Sequence, residues 1–354
     1  MERSPGEIFI NCSASSSPRN VDRGDFQGHF SDKVCEKVWL FAKQTGILEG
    51  KSSIYLSIGK ILVKPFLFIL FLPLKGNRSM RDNISDIAAL YNSSVEYEEL
   101  RLERHQLEYD LTWRYLTRYL PPTGSILEIG AATGRYTLAL CRRGYSVTAV
   151  DLSAALLQRC KLRLEAAGLD GQARFIEADA RDLHAVPATA FDAVLLMGPL
   201  YHLIFEEDRR QAIRQAVNRL RSGGLLFSAH LSRLGVLGDL MKKAPEWIER
   251  REEVRFLLDH GRRPDDQPRG GFRGHFARVS EIRPLHEALG IQTIVLAGIE
   301  PAISADDESY NKLPAPQRDL WLDLLEEVSS DETTVGASRH LLYVGRKDEG
   351  IAPA

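Results

Sequence analysis

The sequence predicts an α/β domain whose mainly parallel sheet carries helices on both faces. Short apolar runs alternate with amphipathic stretches after residue 121, which is typical of strand–helix–strand units. A tight turn of small residues follows the first of these runs directly. The composition is that of a globular protein, with 44% hydrophobic and 27% charged residues. A chain of 354 residues can therefore build a large core.

The pattern predicts seven strands, and helices follow most of the early ones. The predicted strands span 126–129, 146–150, 173–178, 191–197, 225–228, 291–296 and 340–345. The predicted helices span 134–143, 153–167, 208–220 and 279–289. Connections between parallel strands are right-handed, which restricts the topology. Together these elements define a domain at 121–348.

A long insertion at about 230–278 separates the fifth strand from the helix at 279–289. It contains a helical stretch at 237–258 and then a loop rich in glycine, arginine and proline at 261–274. Ligands of open α/β sheets bind beyond the carboxyl ends of the strands. We therefore expect the insertion to form a lid over a substrate.

The first 79 residues form a poorly defined extension. An apolar segment at 54–74 is about as long as a membrane span, but Lys60, Lys64 and Pro65 interrupt it. Three interpretations remain open: a membrane contact, a buried or poorly ordered segment, and a dispensable extension with Met80 as the biological start.

A helical cap is predicted at 80–120. The apolar residues Leu100, Leu107, Leu111 and Tyr115 recur at steps of seven and four, with charged residues between them. This spacing predicts one amphipathic helix that lies on the domain. The segment Pro121–Gly124 ends it.

Charge and cysteine content exclude several classes of protein. The net charge is −2, so nucleic acid is not favoured as the main partner. The four cysteines form no C-x-x-C pair, and no cluster of cysteine and histidine predicts a metal site. Residues 1–30 lack the early apolar run of a secretory signal. We therefore expect a cytoplasmic protein without a metal.

The clearest motif is the segment Ile126-Leu-Glu-Ile-Gly-Ala-Ala-Thr-Gly-Arg-Tyr136. A buried strand leads into a small-residue turn and then a helix, whose first N–H groups are free to bind a ligand. A dinucleotide site would require G-x-G-x-x-G, but Ala132 and Arg135 break that pattern. The motif is therefore E-x-G-x-A-x-G.

Three further segments place polar side chains at the ends of later strands. Val147-Thr-Ala-Val-Asp151 ends the second strand, and Phe175-Ile-Glu-Ala-Asp179 ends the third. The fourth strand leads into the loop Gly198-Pro-Leu-Tyr-His202. The carboxyl ends of parallel strands meet at one edge of a sheet, so these segments are expected to share one site.

In order and spacing, the four segments resemble the class I S-adenosylmethionine (SAM)-dependent methyltransferases. The resemblance covers about 85–346, and the Gly-Pro-Leu-Tyr-His loop is similar to that of a bacterial-type subgroup. It implies a Rossmann-like seven-stranded fold with SAM as cofactor. Glu128 would bind the methionine ammonium, Asp151 the ribose, and Asp179 with the Ala180 N–H the adenine. The full set of cofactor residues implied is Glu128, Gly130, Ala131, Ala132, Gly134, Tyr136, Asp151, Leu152, Asp179, Ala180 and Met197.

The same resemblance implies methyl transfer to an O, N or S atom. If the acceptor needs a base, His202 is the candidate by position, and Tyr201 is a second candidate catalytic residue. His230, at the end of the fifth strand, is the candidate for substrate contact. Gly198 stands where many enzymes that methylate amide or base nitrogens have the Asn of Asn-Pro-Pro-Tyr. We therefore expect a small-molecule acceptor; the alternatives are an RNA or protein methyltransferase and a non-catalytic SAM-binding scaffold.

Overall fold

The computed structural model describes residues 82–188, 190–264, 273–301 and 307–349. The extension at 1–79, its apolar segment at 54–74 and most of the glycine-rich loop lie outside the described residues. None of the described helices is both long and apolar enough to cross a membrane.

The centre of the fold is an eight-stranded sheet in the order β3-β2-β1-β4-β5-β8-β7, with the short β6 beside β5. The strands are β1 (Ser125–Ile129), β2 (Ser146–Asp151), β3 (Ala173–Glu177), β4 (Phe191–Leu196), β5 (Leu220–Ser232), β6 (Phe276–Ala277), β7 (Ile291–Gly298) and β8 (His340–Lys347). Only β8 runs antiparallel, against both β5 and β7. The predicted mainly parallel sheet is confirmed, and the two-residue β6 is the strand that periodicity missed.

Helices cover both faces of this sheet. They are α1 (Ser85–Ser93), α2 (Val95–Glu99), α3 (Arg101–Arg104), α4 (Gln106–Tyr119), α5 (Arg135–Cys141), α6 (Ala154–Ala166), α7 (Pro199–His202), α8 (Glu206–Arg219), α9 (Val236–Lys243), α10 (Arg251–His260), α11 (Val279–Glu287), α12 (Asp307–Asn311), α13 (Ala315–Val328) and α14 (Glu332–Val335). Short 3₁₀ turns occupy Asp170–Gln172 and Pro245–Arg250.

Two apolar cores lie on opposite faces of the sheet. One contains Leu107 and Leu111 of α4 together with Phe227 of β5. The other contains Ile213 of α8 together with Tyr343 of β8. Since successive side chains of a strand point to opposite faces, the apolar strands supply both cores.

The predicted single cap helix is wrong, because the segment forms four helices. Breaks occur at Ser94, Leu100 and His105, where the backbone leaves helical geometry. Leu107, Leu111 and Tyr115 are buried as predicted. Leu100, however, is 48% exposed, because it lies at the break rather than on the apolar face of α4.

The fifth strand is also longer than predicted and extends through Ser232, so the insertion begins later than residue 230. Within it, α9 and α10 replace the single predicted helix at 237–258. The helices α12 to α14, before the last strand, were not predicted. Helix α13 packs against α4 of the cap, where the hydroxyls of Tyr115 and Ser329 are 2.6 Å apart.

Candidate functional site

A cavity opens at the carboxyl ends of β1, β2 and β4. Strand order reverses there, since β1 lies between β2 and β4, and ligands of open α/β sheets bind at such points. The walls come from the turn after β1, the ends of β2 and β4, and helices α1 to α4. The sequence predicted the walls that come from the strand ends and the turn. Helices α1 to α4 form the remaining wall, so the cap covers the site.

The turn after β1 adopts a backbone that favours glycine at two positions. Gly130 has φ = 85°, and an added methyl group there would overlap the carbonyl oxygen of Met197. Gly134 has φ = 81°, and its methyl would overlap the sulfur of Cys160. Glycine is therefore required at both positions to hold the turn against β4 and α6. Gly130 lines the cavity, whereas Gly134 lies behind it.

Asp151 joins the end of β2 to this turn. Its carboxylate accepts hydrogen bonds from the N–H groups of Ala132 and Ser153, each at 2.9 Å. Ala132 has φ = 48°, the one non-glycine residue of the described chain with a positive φ. Burial raises the pKa of Asp151, while the backbone N–H groups lower it. The carboxylate therefore shapes the turn and also lines the cavity.

Glu128 is a buried carboxyl at the base of the cavity, with 1% of its surface exposed. Its hydrogen bond within the described chain comes from the Thr137 hydroxyl at 2.6 Å. Burial raises the pKa of Glu128 to about 8, although the Thr137 hydroxyl lowers it. A buried carboxylate with one hydrogen bond is costly, so a ligand cation at Glu128 would be favoured.

Asp179 lines the cavity beyond β3, but Arg181 already binds its carboxylate. The guanidinium Nε and one terminal nitrogen donate to the Asp179 oxygens at 2.7–3.1 Å. A second terminal nitrogen of Arg181 donates to Asp208 at 3.0 Å. Arg181 therefore fixes the orientation of Asp179. Ala180 and Leu152 line the same part of the cavity.

Tyr91, His202 and Arg273 form a hydrogen-bonded chain beside the cavity. His202 Nδ1 lies 3.3 Å from the Arg273 carbonyl oxygen, which only accepts, so Nδ1 carries the proton. His202 Nε2 then accepts from the Tyr91 hydroxyl at 2.8 Å. Burial lowers the pKa of His202 to about 4. The imidazole is therefore neutral near pH 7.

Tyr201 lies beside these hydrogen-bonded residues and lines the cavity. Its ring centroid is 4.8 Å from that of His202. Burial raises its pKa to about 12, so it is a neutral phenol near pH 7. The structure thus brings together both candidate catalytic residues and adds Tyr91 of α1, which the sequence did not select as catalytic.

The cap contributes charged side chains that sequence reasoning missed. Arg101 and Glu108 line the cavity, and one terminal nitrogen of Arg101 donates to both oxygens of Glu108 at 2.9 Å. Glu98 also lines it, with Oε1 3.8 Å from Arg101 Nε. The sequence predicts one continuous amphipathic helix here, with charged residues between the apolar ones. The breaks at Leu100 and His105 turn these charged residues inward.

A second layer of charge lies behind the cap residues. His340 Nδ1 is 2.9 Å from Glu300 and 3.6 Å from Glu108, and Arg339 forms an ion pair with Glu300. Burial raises the pKa of Glu300, but His340 and Arg339 outweigh it and hold that pKa at about 2. The group Glu108, Glu300 and His340 has the spacing of metal ligands. Arginines already supply positive charge to its carboxylates.

The structure places His230 outside this cavity, whereas the sequence predicted that it contacts substrate. Its neighbour Ala229 lines the cavity, and alternation along β5 turns His230 to the opposite face. There its ring packs edge-on against His286 at 5.4 Å.

The predicted lid also differs from what the structure shows. No residue of 230–264 or 273–278 lines the cavity. Arg273 instead forms ion pairs with Asp82 (2.6 Å) and Asp86 (3.1 Å) at the start of the cap. In the described part of the chain the insertion therefore supports the cap rather than covering the cavity itself.

Comparison with known proteins agrees with this geometry. Residues 126–224 match the family model described as a methyltransferase domain. The tRNA 5-carboxymethoxyuridine methyltransferase of Escherichia coli K12 is 28% identical over 158 residues, which cover 42% of this chain and 57% of the relative. The carboxy-S-adenosyl-L-methionine synthase of Aliivibrio salmonicida is 28% identical over 130 residues, covering 35% and 52%. The ubiquinone biosynthesis O-methyltransferase of Xanthomonas axonopodis is 28% identical over 177 residues, covering 50% and 72%.

The matched domain covers 99 of the 354 residues of the chain. The predictions of a SAM-dependent methyltransferase and of SAM as cofactor are confirmed for this domain. Of the cofactor residues implied by the resemblance, all but Gly134 line the cavity. The chain spans about half the length of the first two curated relatives described above, 57% and 52%. The relatives also differ in the reactions that their names give.

Proposed function

We propose that this chain transfers the methyl group of SAM to an O, N or S atom of a small-molecule acceptor. The observation that carries the proposal is one cavity lined by Glu128, Asp151 and Asp179 at adjacent strand ends, with Tyr91 and His202 in the same wall. The three carboxyl groups fit a ligand with an ammonium, a ribose and an adenine. The tyrosine and histidine fit a second, neutral reactant.

The chain's own residues would bind and orient both reactants. Bound SAM supplies an activated methyl group. Glu128 would accept hydrogen bonds from the ammonium, and Arg101, which lines the same cavity, would bind the neighbouring carboxylate. Alignment of two bound reactants can lower a barrier by roughly 7–11 kcal/mol. Helix α1 and the turn after β1 would keep water from the reacting atoms.

His202 is better suited to positioning Tyr91 than to acting as a base. With a pKa of about 4, protonating this imidazole at pH 7 costs about 4 kcal/mol. The phenol of Tyr91 donates its proton to His202 Nε2, so its oxygen remains free to accept from an acceptor hydroxyl or amine. Tyr201 would pack against the acceptor.

A small acceptor is supported by how the cap is held. The Asp82 N–H donates to Asp208 at 2.7 Å, and the Arg273 guanidinium binds Asp82. Helix α1 is attached to α6 through Asn92, which accepts from the Ser153 hydroxyl at 2.6 Å. A cap attached at these points covers one side of the cavity, which favours a small molecule over a macromolecule. We also propose that the Gly-Pro-Leu-Tyr-His loop marks the bacterial-type subgroup that it resembles.

An RNA acceptor is the second candidate, since one relative is a tRNA methyltransferase by name. Binding of RNA should weaken steeply with salt, because phosphate contacts release counterions. Filter binding of total tRNA between 50 and 200 mM NaCl distinguishes the two. A salt-dependent affinity in the micromolar range would favour RNA, and its absence the small molecule.

Thermal unfolding with and without S-adenosylhomocysteine tests the cofactor assignment. Ligand at a hundredfold excess over its Kd should stabilise the chain by about 2.7 kcal/mol, a rise in Tm on the order of 5–10 °C. Asp151→Ala should lose most of that shift, whereas Asp170→Ala, an exposed acid outside the cavity, should keep it. No shift in the folded wild type would contradict the proposal. A shift in Tm without turnover on any acceptor would favour the non-catalytic SAM-binding scaffold.

A further inference from the structure

A second cavity lies on the opposite face of β5 from the cofactor cavity. Its walls are the start of α8, the end of β5, the short β6 and helix α11. Its volume is about 220 Å³, whereas one water molecule requires about 10–15 Å³ measured in the same way. It can therefore hold a small ligand, and the proposed methyl transfer makes no use of it.

The wall of this cavity contains a buried guanidinium without a carboxylate partner. Arg209 is 7% exposed, and one terminal nitrogen donates to the Leu203 carbonyl at 2.7 Å. No carboxylate of the described residues lies within ion-pair distance of it. The next residue, Arg210, does have a carboxylate partner, since it pairs with Glu206 at 2.8 Å. Burial lowers the pKa of Arg209 to about 10, although Glu206 and Glu281 at longer range raise it. A buried cation without a carboxylate in contact is costly, so an anion that reaches Arg209 would be bound favourably.

Two imidazoles line the same cavity. His275 is 8% exposed and makes no side-chain hydrogen bond within the described chain; its Nε2 is 4.0 Å from a Glu281 oxygen. His230 Nε2 lies 3.2 Å from the Ser228 hydroxyl. Burial and nearby arginines lower the pKa of His275 to about 3. Its neutral ring still offers an N–H donor.

We propose that this second cavity is a binding site for a small oxyanion, held by the guanidinium of Arg209 and the imidazole of His275. Arginine offers two parallel N–H donors to a phosphate group or a carboxylate, and such charge-assisted bonds are about twice as strong as neutral ones. Two carboxyl groups also line the cavity, and each of them pairs with another arginine, Glu281 with Arg233 at 3.0 Å and Glu206 with Arg210 at 2.8 Å.

The second cavity is connected to the acceptor side of the first through a single backbone segment. The His275 N–H donates to the Tyr201 carbonyl at 2.7 Å. Two residues earlier, the Arg273 carbonyl accepts from His202. An anion on His275 would therefore hold the segment that supports Tyr201 and His202. An anion bound at His275 and an acceptor bound beside Tyr201 and His202 would change each other's affinity by the same factor, because coupling between two sites acts in both directions.

Calorimetric titration of the full chain with inorganic phosphate tests the site. The buffer contains chloride at constant ionic strength, and saturating S-adenosylhomocysteine keeps phosphate out of the cofactor cavity. We expect saturable binding in the wild type and at least tenfold weaker binding in Arg209→Met. The control is Arg214→Met, one turn further along α8, where the side chain is 42% exposed and pairs with Glu207. Its affinity should stay within twofold of the wild type.

A parallel titration with acetate shows whether the site takes a carboxylate or a phosphate group, and binding of either one supports the proposal. If Arg209→Met does not fold, His275→Gln takes its place, with the same tenfold loss expected. The proposal is overturned if neither anion binds to the wild type, or if the loss is absent from the folded variant. Because the readout is binding, its failure is distinct from failure of the proposed methyl transfer.

Discussion

Cofactor affinity should depend on pH through one buried carboxyl, that of Glu128. In the free chain its pKa is about 8, raised mainly by burial. A ligand ammonium binds to the carboxylate form, so binding must first remove a proton below pH 8. Since that proton is lost on binding, affinity should increase as the pH rises.

The size of the effect follows from that pKa. At pH 7 about one molecule in eleven has an ionised Glu128, and ionisation costs about 1.4 kcal/mol. At pH 6 about one in a hundred is ionised. The Kd of S-adenosylhomocysteine should therefore fall about tenfold between pH 6 and 7, below the range near 7.7–8.0 where an α-amino group loses its proton. Binding at pH 7 should release about 0.9 proton.

Calorimetry in buffers of different ionisation enthalpy measures both quantities. Glu128→Gln keeps the shape of the side chain but cannot ionise, so its Kd should be weaker and flat between pH 6 and 7. Thr137→Val removes the hydroxyl that favours the carboxylate and should move the rise of affinity to higher pH. A flat wild-type profile, or an equal slope in Glu128→Gln, would refute the reasoning.

Three further predictions concern the turn, the cap and the acceptor side. Gly134→Ala should destabilise the chain by about 2–4 kcal/mol in urea unfolding, because the methyl group overlaps a cysteine sulfur and φ is positive. The control is Gly168→Ala, where φ is 69° but the space is open, and it should cost only about 1–2 kcal/mol. Equal losses of stability in the two variants would contradict the packing argument. Arg181→Leu should cost about 3–5 kcal/mol in the same assay, since it leaves Asp208, 3% exposed, without its guanidinium; a change below 1 kcal/mol would count against that ion pair. Tyr91→Phe should lower kcat about tenfold by removing one hydrogen bond of about 1.4 kcal/mol while leaving the Kd of S-adenosylhomocysteine within threefold; an unchanged kcat would remove Tyr91 from the acceptor site.

The cofactor half of the site could be predicted because its signals are local. A strand, a small-residue turn and a helix occupy eleven consecutive residues, and the positive φ of Gly130 explains one of the glycines. Asp151 was found because it ends a strand, and strand ends meet at one edge of a parallel sheet. Gly134 was assigned to the ligand although it packs on Cys160. A glycine pattern does not show whether a ligand or a neighbouring side chain requires the space.

The part of the site that comes from the cap could not be predicted, since it depends on where a helix breaks. Glu98, Arg101 and Glu108 have the periodicity of a solvated helix face, and continuous helix geometry would place them in water. The breaks at Leu100 and His105 have no glycine or proline to mark them. At the second break, His105 Nδ1 lies 2.7 Å from an Asp307 oxygen, 202 residues away in the sequence.

His230 shows the same limit within a strand. To predict which cavity His230 lines, one must know its position along β5 and also the face of the sheet to which its side chain points. Ala229 reaches the cofactor cavity, so the one-residue alternation of a strand gives His230 to the other face. There it meets His275 and Arg209, which come from separate elements. His230 therefore belongs to the second cavity, and the sequence could select it as a functional candidate without showing which of the two cavities it lines.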